Sequence, residues 1–158
     1  MRFAQASPRD ALEILALYRA CAALPSCRWN AWYPNRDTLR ADLRFGGLYT
    51  LRRRGRLIAC ASLILPEEEE RGAGWRACRR PCALARIGTQ PALQGRGYGR
   101  VLLQMLLLAA RCRGYDGMRL LVSPQNPAAL RLYAGAGFRA CGTKTCWGHT
   151  WLCMERKL

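Results

Sequence analysis

The chain has 158 residues, 51% of them apolar, and carries 26 basic against 10 acidic residues for a formal net charge of +16. That length and apolar share suit one globular domain with a real core. No long uncharged apolar span exists, and the run from Val101 to Ala110 is too short to cross a bilayer and is interrupted by Gln104. Arg2 and a strand-like stretch follow Met1 directly, so no secretion signal is expected and the predicted location is cytoplasmic.

Of the basic residues only Lys144 and Lys157 are lysine; the arginines are scattered from Arg2 to Arg156, with one cluster at Arg52, Arg53, Arg54 and Arg56. Such a surface attracts polyanions in general, so a basic nucleic-acid-binding module stands as an alternative reading rather than the leading one. The nine cysteines are odd in number and contain no C-x-x-C. Cys78, Cys82, Cys141 and Cys146 are too loosely spaced for a four-thiolate zinc site, so reduced thiols and no metal are expected.

Phe3 to Ala6 suits a first strand. Ser7 then caps a helix with Pro8 in its first turn, and Ala11, Ile14, Leu15 and Tyr18 share a face as it runs to about Ala23. The loop that follows, to Pro34, holds Trp29, Trp32 and Tyr33. Asn35 or Asp37 caps a second helix through Arg44, ended by Gly46 and Gly47. Residues 48–52 and 57–65 read as a hairpin turning at Gly55, and residues 66–80 as a long connection carrying the run Glu67 to Glu70.

Leu84 to Thr89 suits a buried strand, stopped by Pro91. Next come Gln94, Gly95, Arg96, Gly97, Tyr98, Gly99 and Arg100, and from Gly97 or Tyr98 the pattern predicts a helix through Arg111, stopping near Gly114. Glycines at every second position let the backbone take left-handed dihedrals and approach a ligand closely. The orphan N–H groups and positive dipole end of the helix then face one spot, which suits a phosphate or pyrophosphate. The turn is neither G-x-G-x-x-G nor a Walker A sequence, since Arg100 holds the third fingerprint position and no Gly-Lys-Ser/Thr follows.

Met118 to Val122 reads as a short strand. Asn126 caps a further helix that has Pro127 at its first position, and Leu130 and Tyr133 share a face of it before Gly135 and Gly137 end it. Phe138 to Thr143 and Thr150 to Arg156 read as the last strands, joined around Gly148. No repeat, low-complexity tail or boundary breaks residues 1–158, which are read as a single domain.

Gln94-x-x-Gly97-x-Gly99, followed by a strand, Asn126, a helix with Tyr133 and then Gly137-Phe138, resembles the GNAT superfamily of acyl-CoA-dependent N-acyltransferases. The likeness is carried by motifs over about residues 83–142 and by pattern elsewhere; the Trp29-x-x-Trp32-Tyr33-Pro34 stretch is similar to that of bacterial members. It implies an α/β (mixed α+β) fold: a mixed, mostly antiparallel sheet of about seven strands, containing a splayed parallel pair and flanked by about four helices. Coenzyme A is expected between the splayed strands.

The resemblance further implies an N-acetyltransferase, with direct attack of a primary amine on acetyl-CoA in a ternary complex. Ile87, Gly88 and Thr89 would hold the pantetheine, and an N–H there would stabilise the developing oxyanion. Gln94, Gly95, Arg96, Gly97, Tyr98, Gly99 and Arg100 would hold the pyrophosphate, and Asn126 would contact the cofactor. Tyr133 falls at the general-acid position.

The base carboxylates common in the family are missing, since the positions around Ala83 and Leu121 are apolar. Glu67 to Glu70, His149 and an ordered water all remain open as the base. A catalytically silent acyl-CoA-binding domain is therefore a second alternative. Trp29, Trp32, Tyr33, Trp147 and His149 are candidates to line the acceptor pocket, with a small-molecule or peptide amine as the expected partner and a monomer or homodimer as the expected state.

Overall fold

The structure is a computed structural model and describes residues 1–66, 74–75 and 78–158. Seven strands and four helices follow one another as β1 (Arg2–Gln5), α1 (Ala11–Ala22), α2 (Arg36–Phe45), β2 (Leu48–Arg53), β3 (Arg56–Ile64), β4 (Pro81–Thr89), α3 (Tyr98–Cys112), β5 (Gly117–Val122), α4 (Pro127–Gly135), β6 (Arg139–Cys146) and β7 (His149–Lys157). The strands form one sheet in the order β1-β2-β3-β4-β5-β7-β6, antiparallel throughout except for the β4–β5 pair.

Local chemistry places the boundaries. Asn35 accepts from the amides of Asp37 and Thr38 at the start of α2, and Gly46 closes that helix at φ +69°. A short 3-10 turn at Pro8–Asp10 precedes α1, held by the Ser7 amide donating to Asp10 at 2.7 Å. Arg54 and Gly55 between β2 and β3, and Trp147 and Gly148 between β6 and β7, all have positive φ, the requirement of two-residue hairpin turns that follow the strand twist.

The two faces of the sheet are covered separately. On one, Ile14, Leu17, Tyr18 and Cys21 of α1 and Leu39 of α2 pack with Leu48, Leu57 and Cys60. On the other, Leu102, Leu103 and Leu106 of α3, all fully buried, pack with β3, β4 and β5, together with Tyr133 and Phe138 from the α4 segment. The predicted apolar face of α1 is rotated slightly: Leu17 and Cys21 are buried, whereas Ala11 and Leu15 lie at the edge.

Two departures from regular pairing shape the centre. β4 and β5 pair only at Pro81–Gly117, Cys82–Met118 and Ala83–Arg119, after which both strands continue without pairing each other and a cleft opens between them. On the other edge of β4 the register moves from Ser62–Ala85 to Cys60–Gly88. That is three residues on β4 against two on β3, a bulge containing Arg86 at φ +53°.

Candidate functional site

The mouth of the cleft is formed by the glycine turn and the start of α3. Gly95 and Gly97 have φ of +74° and +83°, and a Cβ built on either would meet nothing within 4 Å. These glycines are required by the backbone path rather than by crowding from the chain, and they leave open space in front of the turn. Gly97 is the N-cap of α3, and no side chain caps the helix. The amides of Tyr98, Gly99 and Arg100 therefore lack intrahelical acceptors at the start of α3. Gln94, Gly95, Arg96 and Arg100 are exposed around it. Arg53 of β2 adds a further cation, donating to the Tyr98 hydroxyl at 2.6 Å.

Leading into the turn, Ile87 and Thr89 are half-buried and Gly88 is buried. A Cβ at Gly88 would lie 3.2 Å from Cys21 Sγ and 3.3 Å from the Trp29 ring, so a side chain here would fit only if these neighbours shifted by a few tenths of an ångström. The Thr89 carbonyl accepts from the Cys21 thiol at 3.5 Å and from the Gln94 amide at 3.3 Å, which pins the end of β4 to α1 and to the turn. Burial pushes the Cys21 thiol up to about 11.

Beyond the open end of β5, Asn126 accepts from the Ala129 amide at 3.0 Å and starts α4. Tyr133, two turns on, is 5% exposed and meets Phe138 edge-on with centroids 5.8 Å apart. Burial pushes its phenol well above the ordinary range. Its neighbour one helical turn earlier, Ala129, and Leu130 and Leu132 pack on the same core.

A polar cluster that sequence reasoning missed lies behind the bulge. Arg86 donates to both carboxylate oxygens of Asp42 at 2.7 Å and to the Tyr33 hydroxyl at 3.0 Å. Ser62 donates to the same carboxylate at 2.5 Å. Burial alone would lower Arg86, but Asp42 and Tyr33 outweigh it and hold the guanidinium firmly charged. Burial pushes the Tyr18 phenol up. An arginine inside a strand otherwise reading as apolar is the signal that could have found this cluster, since a buried charge requires a partner.

The five aromatic and imidazole candidates for the acceptor side separate in the structure. Trp29 is half-buried, edge-on to Tyr18 and against Gly88; Trp32 is 83% exposed; Tyr33 leans on Arg86. Trp147 is exposed in the β6–β7 turn, edge-on to Trp151. Of the five, only His149 lines the cavity of about 270 Å³ that opens beside Ser123, Pro124 and Gln125, shared with Arg28 and Trp151. A wider groove of about 940 Å³ runs from Arg100 and Gln104 of α3 to Arg139, Arg156 and Lys157, beside Glu155.

The candidate bases Glu67 to Glu70 lie outside the described residues. All nine cysteines are thiols, and among the described residues no group of three or more His, Cys, Asp or Glu side chains could hold a metal ion. Among the same residues no helix is long and apolar enough to cross a membrane.

A sheet with one splayed parallel pair and a glycine turn opening a helix at its mouth defines a class, and comparison with known proteins agrees. The acetyltransferase (GNAT) family matches residues 12–138. The chain belongs to that family. Over 52 residues, 33% of this chain, it is 42% identical to mycothiol acetyltransferase from Beutenbergia cavernae; the match spans only 18% of that protein's length. The GNAT-family acetyltransferase structure from Streptococcus agalactiae superposes with a TM-score of 0.84 at 20% identity, covering 99% of this chain and 95% of the other. The yncA structure from Salmonella typhimurium, solved with its cofactor acetyl-CoA, superposes with a TM-score of 0.75 at 23% identity, covering 100% and 94%.

Proposed function

We propose that the chain transfers an acetyl group from acetyl-CoA to a primary amine, by direct attack within a ternary complex. The observation that carries this reading is the cleft itself: unpaired β4 and β5 edges ending at two left-handed glycines with nothing in front of them. The residues present fit a pyrophosphate there, since open space, three orphan amides and the cations Arg53, Arg96 and Arg100 converge. The acetyl-CoA of yncA supports the same assignment.

Bound acetyl-CoA would supply the acyl group already activated as a thioester. The chain supplies the rest. Gly95 to Arg100 bind the pyrophosphate, and the free edge of β4 at Ile87 to Thr89 hydrogen-bonds the pantetheine, while Asn126 contacts the cofactor from the other lip. A backbone N–H of that edge stabilises negative charge on the carbonyl oxygen as the N–C bond forms. Tyr133 gives its proton to the sulfur as the C–S bond breaks. The proton of the attacking amine passes to His149 or to an ordered water.

A silent acyl-CoA-binding domain is the second reading, because among the described residues no carboxylate lines the cavity beside Ser123. Thiol release from acetyl-CoA over a panel of amines, amino acids and peptides, with products identified by mass spectrometry, separates the two. Sustained release with an N-acetylated product is expected. Coenzyme binding with no release on any amine would favour the silent domain.

A further inference from the structure

Resting on the acyl-transfer reading, we propose that the acceptor is a small amine bearing a carboxylate, and that Arg28 recognises the carboxylate. The cavity of about 270 Å³ supplies the evidence. Its position is set by the loop after α1. Trp29 of that loop lies against Gly88 on β4, while Arg28, one residue earlier, shares the cavity with Ser123, which directly follows β5. β4 and β5 are the two strands that splay, so the loop spans both lips of the cleft and the cavity sits at its mouth.

The lining is chemically one-sided. Arg28 is half-buried and makes no hydrogen bond or ion pair among the described residues. The Ser123 hydroxyl accepts from the Gln125 amide at 3.2 Å, which leaves its own proton to donate to a ligand. Trp151 is fixed by its indole N–H donating to the Cys146 carbonyl at 3.1 Å, and His149 stands edge-on to it with centroids 6.0 Å apart. The Trp151 ring thus faces a guanidinium and a hydroxyl donor, and among the described residues no carboxylate lines the cavity.

Among the described residues Arg28 is the one charged side chain in the lining, so the site disfavours a cationic side chain and favours an anion. A carboxylate satisfies Arg28 and Ser123 together, and the arginine fork matches it in two-point geometry. The volume is at the small end for ligand pockets and fits an amino-acid-sized molecule better than an extended peptide.

The test uses the full chain saturated with coenzyme A and reads tryptophan fluorescence, since Trp151 lines the cavity. The probes are N-acetyl amino acids and the matching N-acetyl amino-acid amides, which differ only in the anion. The acids are expected to bind at least about tenfold more tightly than the amides, as one charge-assisted pair would give. Arg28→Gln should abolish that preference and Arg28→Lys should keep part of it, with coenzyme A affinity unchanged in both. Equal binding of acid and amide, a preference that survives in Arg28→Gln, or no binding of any acid would each overturn the proposal. Acids bound through Arg28 without turnover of the parent amino acids would instead leave this site standing and remove the acyl-transfer reading.

Discussion

Two positions carry the proposed chemistry, and neither is a carboxylate. Tyr133 is buried in the α4 segment and makes no hydrogen bond among the described residues, and the proposed mechanism assigns its hydroxyl to the sulfur. Tyr133→Phe keeps the ring packed on Phe138 and removes only the proton donor. The turnover number is expected to fall by at least about tenfold while acetyl-CoA affinity stays nearly constant. A wild-type rate in the Phe variant, with the chemical step shown to limit turnover, would make Tyr133 a core residue only. Gly97 is the second decisive position. At φ +83° a Cβ is strained by roughly 1–2 kcal/mol and projects into the space where the pyrophosphate would sit.

Among the elements, β4 has the most unusual construction. Its bulge turns Arg86 away from the strand and into a carboxylate on α2, and the same guanidinium reaches Tyr33 in the aromatic loop. Asp42→Ala would leave a buried guanidinium without its counter-charge, at a cost of about 3–5 kcal/mol. Urea denaturation should show the midpoint fall accordingly; an unchanged midpoint would mean the pair does not hold the bulge. Much of this architecture was legible in the chain. Pro91 marked the end of β4, Asn35 or Asp37 and Asn126 marked helix starts, of which Asn35 is the cap of α2, and the glycines marked the turn, because each acts through local backbone chemistry. Arg86 and Arg28 were hidden for another reason. Among 26 basic residues Arg28 carries no signal until the fold shows that it is enclosed, and Arg86, marked only by its place in an apolar strand, meets its partner through a β4 bulge that depends on pairing with β3. The aromatic loop was similarly ambiguous: Trp29 is a packing residue against Gly88, whereas Trp151, half-buried on the last strand, forms the cavity wall.

The whole molecule combines a formal charge of +16 with a set of buried neutral acids. Burial raises the thiols of Cys21 and Cys60 above 9.0 and the phenols of Tyr18 and Tyr133 above 10.0. A group raised in the folded state contributes fully below its unfolded value, and that contribution is lost as pH rises toward the folded one. The thermal midpoint should therefore fall as pH is raised from about 8 to about 11, and a midpoint flat over that range would contradict the burial of these groups. The cationic surface acts at longer range by attracting an anionic cofactor to the cleft, so salt should weaken coenzyme binding. The central claim is that this cleft holds acetyl-CoA by its glycine turn, and calorimetric titration of acetyl-CoA into the wild-type chain and a folded Gly97→Ala variant tests it most directly. The account predicts one site per chain, with affinity at least about tenfold weaker in the variant. Equal affinity in the two proteins, or no binding to the wild type, would contradict it.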